Sequence, residues 1–389
     1  MLGLAIAAPA HAWSFYNDRV EIWFNETMMR DSNVFRLSRN LDLERAIGTS
    51  DLSDRILTHT VGITAGIPVS LQRFEASYAH FWTRYQRFDH LDFDGDLWRA
   101  AWLWAVTRDF NGELSYADTT GLASFAAFRG TTKDVIHTRQ AVANANWQVN
   151  ARWLAYGGLT ATERKHEQPD RRINDIEAQS LEMRMSYITP KENRIGVAVR
   201  AEQGGAPETR VFQGVNFDNG YRQVGVGVVG RWEATAHSRF DGRFDYVKRG
   251  YDQFNQRDYS GPAWGVTYTW TPGPKFNMLA TVRRDIAPLE EVQTTFVLAT
   301  GVGIKPRWQI TEKFALVGSA DYVKWKYQGD PLVGGDFEHI VRSGTFGFAW
   351  TPLQRVVITG GVQREVRTSD LPNADYKATI HTLDARIGF

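Results

Sequence analysis

The chain has no cysteine among its 389 residues, so neither a disulfide framework nor a thiolate metal site is available to hold it together. Long apolar runs are missing as well. Beyond the N-terminus the longest uncharged stretch runs from Ile56 to Gln72 and is broken by Gly62, Gly66 and Pro68. A membrane-spanning helix needs roughly 18 or more consecutive apolar residues, so a helical membrane protein is excluded. Surplus charge is also absent: 45 basic and 44 acidic residues leave a net charge of +1. That balance fits neither a disordered polyelectrolyte nor the basic footprint of a nucleic-acid binder, and no nucleic-acid partner is expected. The nine histidines fall into no HExxH or HxxxH pattern, and no metal or cofactor is expected.

Aromatic residues and glycine are plentiful: 14 Trp, 14 Tyr, 22 Phe and 34 Gly, in a chain whose mean hydropathy is only −0.38. A chain with that average and that aromatic content retains one membrane option, the transmembrane β-barrel, whose strands alternate apolar and polar residues.

The segments carry that alternation. From Arg239 to Tyr246 every odd position is charged and every even position is aromatic or glycine. Trp264, Val266, Tyr268 and Trp270 alternate with Gly265, Thr267 and Thr269, and Gly344, Phe346, Phe348 and Trp350 alternate with Thr345, Gly347 and Ala349. A period of two means a strand with one apolar and one polar or small-residue face.

A longer metre overlies the alternation. An aromatic closes a strand, a short turn follows, and a new strand begins: Trp104, Trp147, Tyr187, Trp232, Trp270, Trp308, Trp350 and finally Phe389, spaced 38 to 45 residues apart. Each interval holds two strands of roughly 10–14 residues, the length that crosses a bilayer when tilted, whereas a propeller blade needs four shorter ones in the same space. Turns after the aromatics are tight and rich in Pro, Thr, Asn and Gly, as in Trp270-Thr271-Pro272-Gly273. The connections at the opposite ends are longer and more polar, the longest running from Arg30 to Asp54. Nine hairpins predict an all-β, up-and-down antiparallel barrel of 18 strands, with 16 as the alternative while Asn111-Gly112 reads equally as turn or strand. Short turns face the periplasm and long loops the exterior. Residues 13–389 form one barrel, and the Arg30–Asp54 loop has the Leu and Arg content to fold inward.

In such a barrel the polar register lines the lumen. The predicted wall comprises Arg239, Asp241, Arg243, Asp245 and Arg249, with Glu182 and Arg184 on another strand and Arg200 and Glu202 on a third. Arg283 with Asp285, Glu365 with Arg367, and Asp384 with Arg386 continue it. Arginine supplies 35 of the 45 basic residues, and its planar fork suits carboxylates and hydroxyl arrays. Two readings remain: these charges recognise cargo, or they only solvate and brace the wall. The opposite register, including Leu181, Met183, Met185, Phe240, Phe244 and Tyr246, faces lipid and lipopolysaccharide. Trp147, Tyr187, Trp232, Trp270, Trp308, Trp350 and Phe389 are expected to form the periplasmic aromatic girdle.

Two motifs carry less than their pattern suggests. Gly225 to Gly230 matches GxGxxG but lies inside a strand ending at Trp232, where a dinucleotide loop would open a helix. Asp92-Phe93-Asp94-Gly95-Asp96 starts like a calcium loop, yet Leu103 stands where the bidentate Glu belongs. No spacing of Ser, Asp and His recommends a catalytic site, and no enzymatic activity is expected.

The ends add addresses. Met1 to Ala12 is an apolar run closed by Ala10-His11-Ala12, as in a secretory signal; residues 1–12 are read as its remnant and Trp13 as the first mature residue. Leu383 to Phe389 alternates and ends on an aromatic, as do outer-membrane barrels read by the barrel-assembly machinery.

A strand from Asp18 to Thr27 leads into Asp31-Ser32-Asn33-Val34-Phe35-Arg36-Leu37. This D-x-N-[VL]-[FY]-R segment, with the Trp-Thr-Pro turns, resembles the EpsL-type outer-membrane barrels encoded with exopolysaccharide clusters and exosortase B systems. The resemblance implies a channel through which a secreted polysaccharide leaves the cell, working with periplasmic export components, and it transfers no catalytic residues. Trp23 and Trp325, on the polar register, are candidates either for stacking on sugar rings or for ordinary packing. A general or sugar-selective diffusion porin is the alternative function, and a barrel lipid hydrolase a more distant one.

Overall fold

In the computed structural model the described residues are 20–127, 130–207, 210–212, 215–218, 220–253, 258–287, 296–328 and 336–389. The expected signal remnant and Trp13 lie outside them. The first nine strands are β1 (Val20–Asp31), β2 (Asp54–Val69), β3 (Gln72–Tyr85), β4 (Phe93–Ala105), β5 (Phe110–Leu122), β6 (Val135–Asn150), β7 (Trp153–His166), β8 (Ile176–Ile188) and β9 (Arg194–Gly205). After a small hairpin of β10 (Arg210–Phe212) and β11 (Val215–Phe217) come β12 (Tyr221–Thr235), β13 (Ser238–Tyr251), β14 (Tyr259–Gly273), β15 (Phe276–Ala287) and β16 (Phe296–Gln309). β17 (Phe314–Gln328), β18 (Phe337–Leu353), β19 (Val356–Ser369) and β20 (Tyr376–Gly388) complete the chain.

Each strand pairs antiparallel with its chain neighbours, β9 pairs with β12 across the small hairpin, and β1 pairs with β20 from Trp23↔Gly388 to Asp31↔Ile380. The result is one closed barrel of 18 strands with no free edge, beside the separate two-stranded sheet of β10 and β11. Asn111 and Gly112 belong to β5, which resolves the count in favour of 18.

Turns of two to five residues join the strands at the rim that also holds both ends of the barrel; the opposite connections run from six residues to twenty-two. Ser70 and Glu192 adopt left-handed φ of 56° and 63° in two of the tight turns. The connections 123–134, 206–220, 252–258 and 329–336 are only partly within the described residues, and 288–295 lies outside them.

Register decides the faces. Val197, Val228, Phe244 and Trp264 share one cross-strand row and present an apolar exterior; Val228 and Phe244 are half exposed. One residue further along β13, Asp245 turns inward and is 3% exposed. Adjacent residues therefore meet opposite solvents, which is why the average hydropathy is low. Near the long loops the exterior becomes polar, with Arg84–Asp94 at 2.6 Å and Arg139–Asp118 at 2.9 Å.

At the short-turn rim Trp147, Trp232, Trp270, Trp308, Trp350 and Phe389 form a ring of exposed aromatics. They lean on aromatics of neighbouring strands: Trp232 on Phe240 (5.5 Å), Phe240 on Tyr268 (4.7 Å), Trp270 on Phe276 (5.6 Å) and Tyr187 on Trp153 (5.4 Å). Such cross-strand pairs contribute about 0.5–1.5 kcal/mol each beyond area burial.

Candidate functional site: the lumen

Ladders of charge cover the inner wall. Asp241 accepts from Arg231 Nε at 2.7 Å and from Arg239 Nε at 2.8 Å, and Asp285 accepts from Arg243 Nη2 at 2.5 Å. Arg200 bridges Glu182 (3.0 Å) and the buried Asp245. Glu202 accepts from the Tyr221 hydroxyl at 2.6 Å, while Arg184 stands 3.5 Å from Glu182 and 4.3 Å over the Tyr156 ring. Across the barrel, Arg99 joins Glu113 (2.7 Å) and Glu75 (3.5 Å). The β1–β20 seam contributes Asp384, which accepts from Asn25 and Thr27 at 2.7 Å each, and Arg386, which is 3.4 Å from Glu21.

The loop from 32 to 53 does fold inward, and the segment Asp31 to Leu37 is the hinge that makes it do so. Asp31 accepts from the Asn33 N–H (2.8 Å), and the Asn33 side chain donates to the Leu37 carbonyl (2.8 Å) while accepting the Leu37 N–H (3.1 Å). This local clamp fixes Arg36 at a left-handed φ of 55°. Phe35, 1% exposed, is thereby driven against Phe88 (4.6 Å) and Phe125 (5.1 Å), both edge to face. Val34, Leu37, Leu52 and Leu91 complete a cluster that ties the first three long loops together.

Arg36 reaches Asp31 at 2.8 Å and Glu365 of β19 at 3.5 Å. Burial works to lower its pKa, but those two carboxylates more than offset it and hold the guanidinium above its ordinary value. Arg367 donates to the Ala374 carbonyl (2.7 Å) and to that of Ala126, in the loop after β5, and lies 4.7 Å over the Tyr376 ring. The loops thus form a cap anchored on the arc from β19 to β6.

This changes the part assigned to Glu365 and Arg367 and selects between the two readings of Trp23 and Trp325. Glu365 and Arg367 belong to the inward register but are only 5% exposed, so they anchor the cap and do not line an open path. Trp23, 9% exposed, lies under Arg386 (4.5 Å), and Trp325 packs against Val297, Tyr327 and Phe337; for both, packing is the role observed. Of the other predicted wall residues, Arg239, Asp241, Arg243, Asp245, Glu182, Arg184, Arg200, Glu202, Asp285, Asp384 and Arg386 are joined in the ladders above, Asp245 from a buried position. Arg249, 6% exposed, donates to Gln223 (2.9 Å) and lies 3.7 Å from Glu202, and Arg283 is exposed.

A cavity of about 850 Å³ opens on the wall formed by β6 to β9 and β12 to β17. Its lining includes Arg184, Arg231, Arg243, Asp241 and Asp285, together with Arg194, Lys305 and Asp321. The last three, and Arg231, were not singled out from the sequence: only strand register, a non-local property, brings them beside β13. The glycines of the GxGxxG match serve the wall. A Cβ at Gly227 would collide with the Phe244 carbonyl and with Asp245. Asp94 and Asp96 of the calcium-like segment face outward, paired with Arg84 (2.6 Å) and His80 (2.8 Å).

No family model matches the sequence, and no curated protein is similar to it. Solved structures are similar in shape. The outer-membrane protein OpdK from Pseudomonas aeruginosa aligns with a TM-score of 0.53 over 95% of this chain and 99% of its own, at 7% identity. A BenF-like porin from Pseudomonas fluorescens Pf-5 gives 0.51 over 96% and 100%, also at 7% identity. The fold is that of outer-membrane porins. With that fold the short-turn rim is periplasmic, the capped rim is extracellular, and the barrel sits in a bacterial outer membrane.

Proposed function

We propose that this chain is an outer-membrane channel for hydrophilic cargo, and that the cargo is an extracellular polysaccharide in export. The observation that carries the channel reading is the inward register of interlocked Arg and carboxylate rows on both walls of a closed barrel. Eighteen strands enclose more space than side chains fill, and these rows keep that space wet. A sliding polymer needs many weak contacts, and hydrogen bonds of about 1 kcal/mol each, repeated along a ladder, supply them without a trap. The polysaccharide assignment draws on the resemblance of the Asp31–Leu37 segment and the Trp-Thr-Pro turns to EpsL-type barrels.

Deleting the gene in its host tests the export reading: extracellular polysaccharide should fall while its intracellular precursors persist. Unchanged extracellular polymer would leave the second reading, a diffusion porin, which the 850 Å³ polar cavity also suits. Liposome swelling with neutral disaccharides distinguishes the two, because a diffusion porin admits them rapidly.

A further inference from the structure

Charge is not balanced around the lumen. Seven basic side chains and three carboxylates line the cavity on the β6–β17 wall. The two nearby carboxylates, Glu182 and Asp245, are both engaged by Arg200, and counting them still leaves an excess of two positive charges. The excess has an address: among the described residues, Arg194, Arg283 and Lys305 have no carboxylate within ion-pair reach, and all three are exposed to the lumen.

The floor between them is glycine. Arg243, Gly265, Arg283 and Gly301 occupy one cross-strand row, so two arginines stand two strands apart, about 10 Å, with nothing but backbone between. A Cβ at Gly265 would lie 3.9 Å from the Arg283 Cβ and 4.0 Å from the Arg243 Nε, and Lys305 projects from the next strand opposite Leu279. Arg243 is partly satisfied by Asp285, whereas Arg283 offers its whole fork to the lumen. Guanidinium groups around a side-chain-free floor are arranged to receive a planar oxyanion from the lumen and to leave room for the ring that bears it.

We propose that this basin is a binding site for acidic sugars, its cations holding the carboxylates of a uronate-type saccharide as it passes. This inference rests on the channel reading and names the charge of its cargo.

The test is block of single-channel current in planar bilayers by a galacturonate hexamer and by maltohexaose. The acidic hexamer should block at about tenfold lower concentration, equivalent to one charge-assisted contact of roughly 1.4 kcal/mol. The double variant Arg283→Gln with Lys305→Gln should reduce that preference to about threefold or less. Gly265→Asp, which places a carboxylate on the floor where a Cβ meets nothing closer than 3.9 Å, should remove it without deleting any cation. Equal block by both hexamers, or a preference unchanged in both variants, overturns the acidic-sugar site while the channel stands. Absence of any conductance from folded protein overturns the channel reading and this inference together.

Discussion

Truncating Phe35 to alanine should open the extracellular cap. Phe35 is 1% exposed and makes two edge-to-face contacts that join three loops, so its phenyl ring is the centre of the cluster. Removing a buried phenyl costs about 3–5 kcal/mol, and here that loss falls on the loop packing, not on the barrel ladders. The population of uncapped barrel should rise by a factor of about a hundred to several thousand. Single-channel recordings should then show a larger or more frequently fluctuating conductance. Trypsin should also cut after Arg39 and Arg45, in the loop that Phe35 anchors. Heat-modifiable gel migration checks that the barrel itself stays folded. Unchanged conductance together with unchanged protection of the loop would refute the cap.

The remaining predictions concern the wall and one loop carboxylate. Val228→Arg puts a charge on the lipid face at mid-strand and should destabilise the barrel by about 2–4 kcal/mol in urea titrations in vesicles, while Val229→Arg, facing the lumen cavity, should cost less than about 1 kcal/mol; equal costs would contradict the assignment of faces. Gly227→Val drives a side chain into the Phe244 carbonyl, which cannot yield as a flexible side chain can, and should cost about 1–3 kcal/mol in the same assay. Asp51 accepts from the Ser53 N–H and pairs with Arg87 at 2.6 Å, and hydrogen bonding from Ser53, ahead of Arg87, holds its pKa down at about 2. Because this carboxyl is depressed, whatever it contributes is present above its ordinary pKa and is lost as pH falls toward about 2. A side-chain NMR titration of Asp51 should therefore find its midpoint there, and a midpoint near 4 would contradict the contact.

The barrel was legible because the bilayer imposes a local rule. Asp245 and Phe244 are chain neighbours that must satisfy water and lipid respectively, so the pattern along Arg239 to Tyr246 already contains the strand and its two faces. The ring of aromatics at the short-turn rim was readable for the same reason, since its spacing follows the length of a hairpin. The basin was not legible. Gly265 becomes a floor only because Arg243 and Arg283 occupy its row, and that register joins residues forty positions apart. The fates of Glu365 and Arg367 were hidden likewise. Their alternation placed them inward correctly, but nothing near them in sequence announces that Arg36 and the Ala126 carbonyl arrive from other loops. For Asp31 to Leu37 the sequence showed a distinctive segment, and the structure supplies its physical content: an asparagine clamp that turns Phe35 and Arg36 into the mouth.

The proposed function requires this closed barrel to enclose a water-filled path across the membrane. Addition of the purified, folded protein to a planar bilayer in KCl tests it most directly. Discrete current steps, proportional to voltage and of uniform size, are expected. A flat baseline from protein shown to be folded and inserted would contradict it.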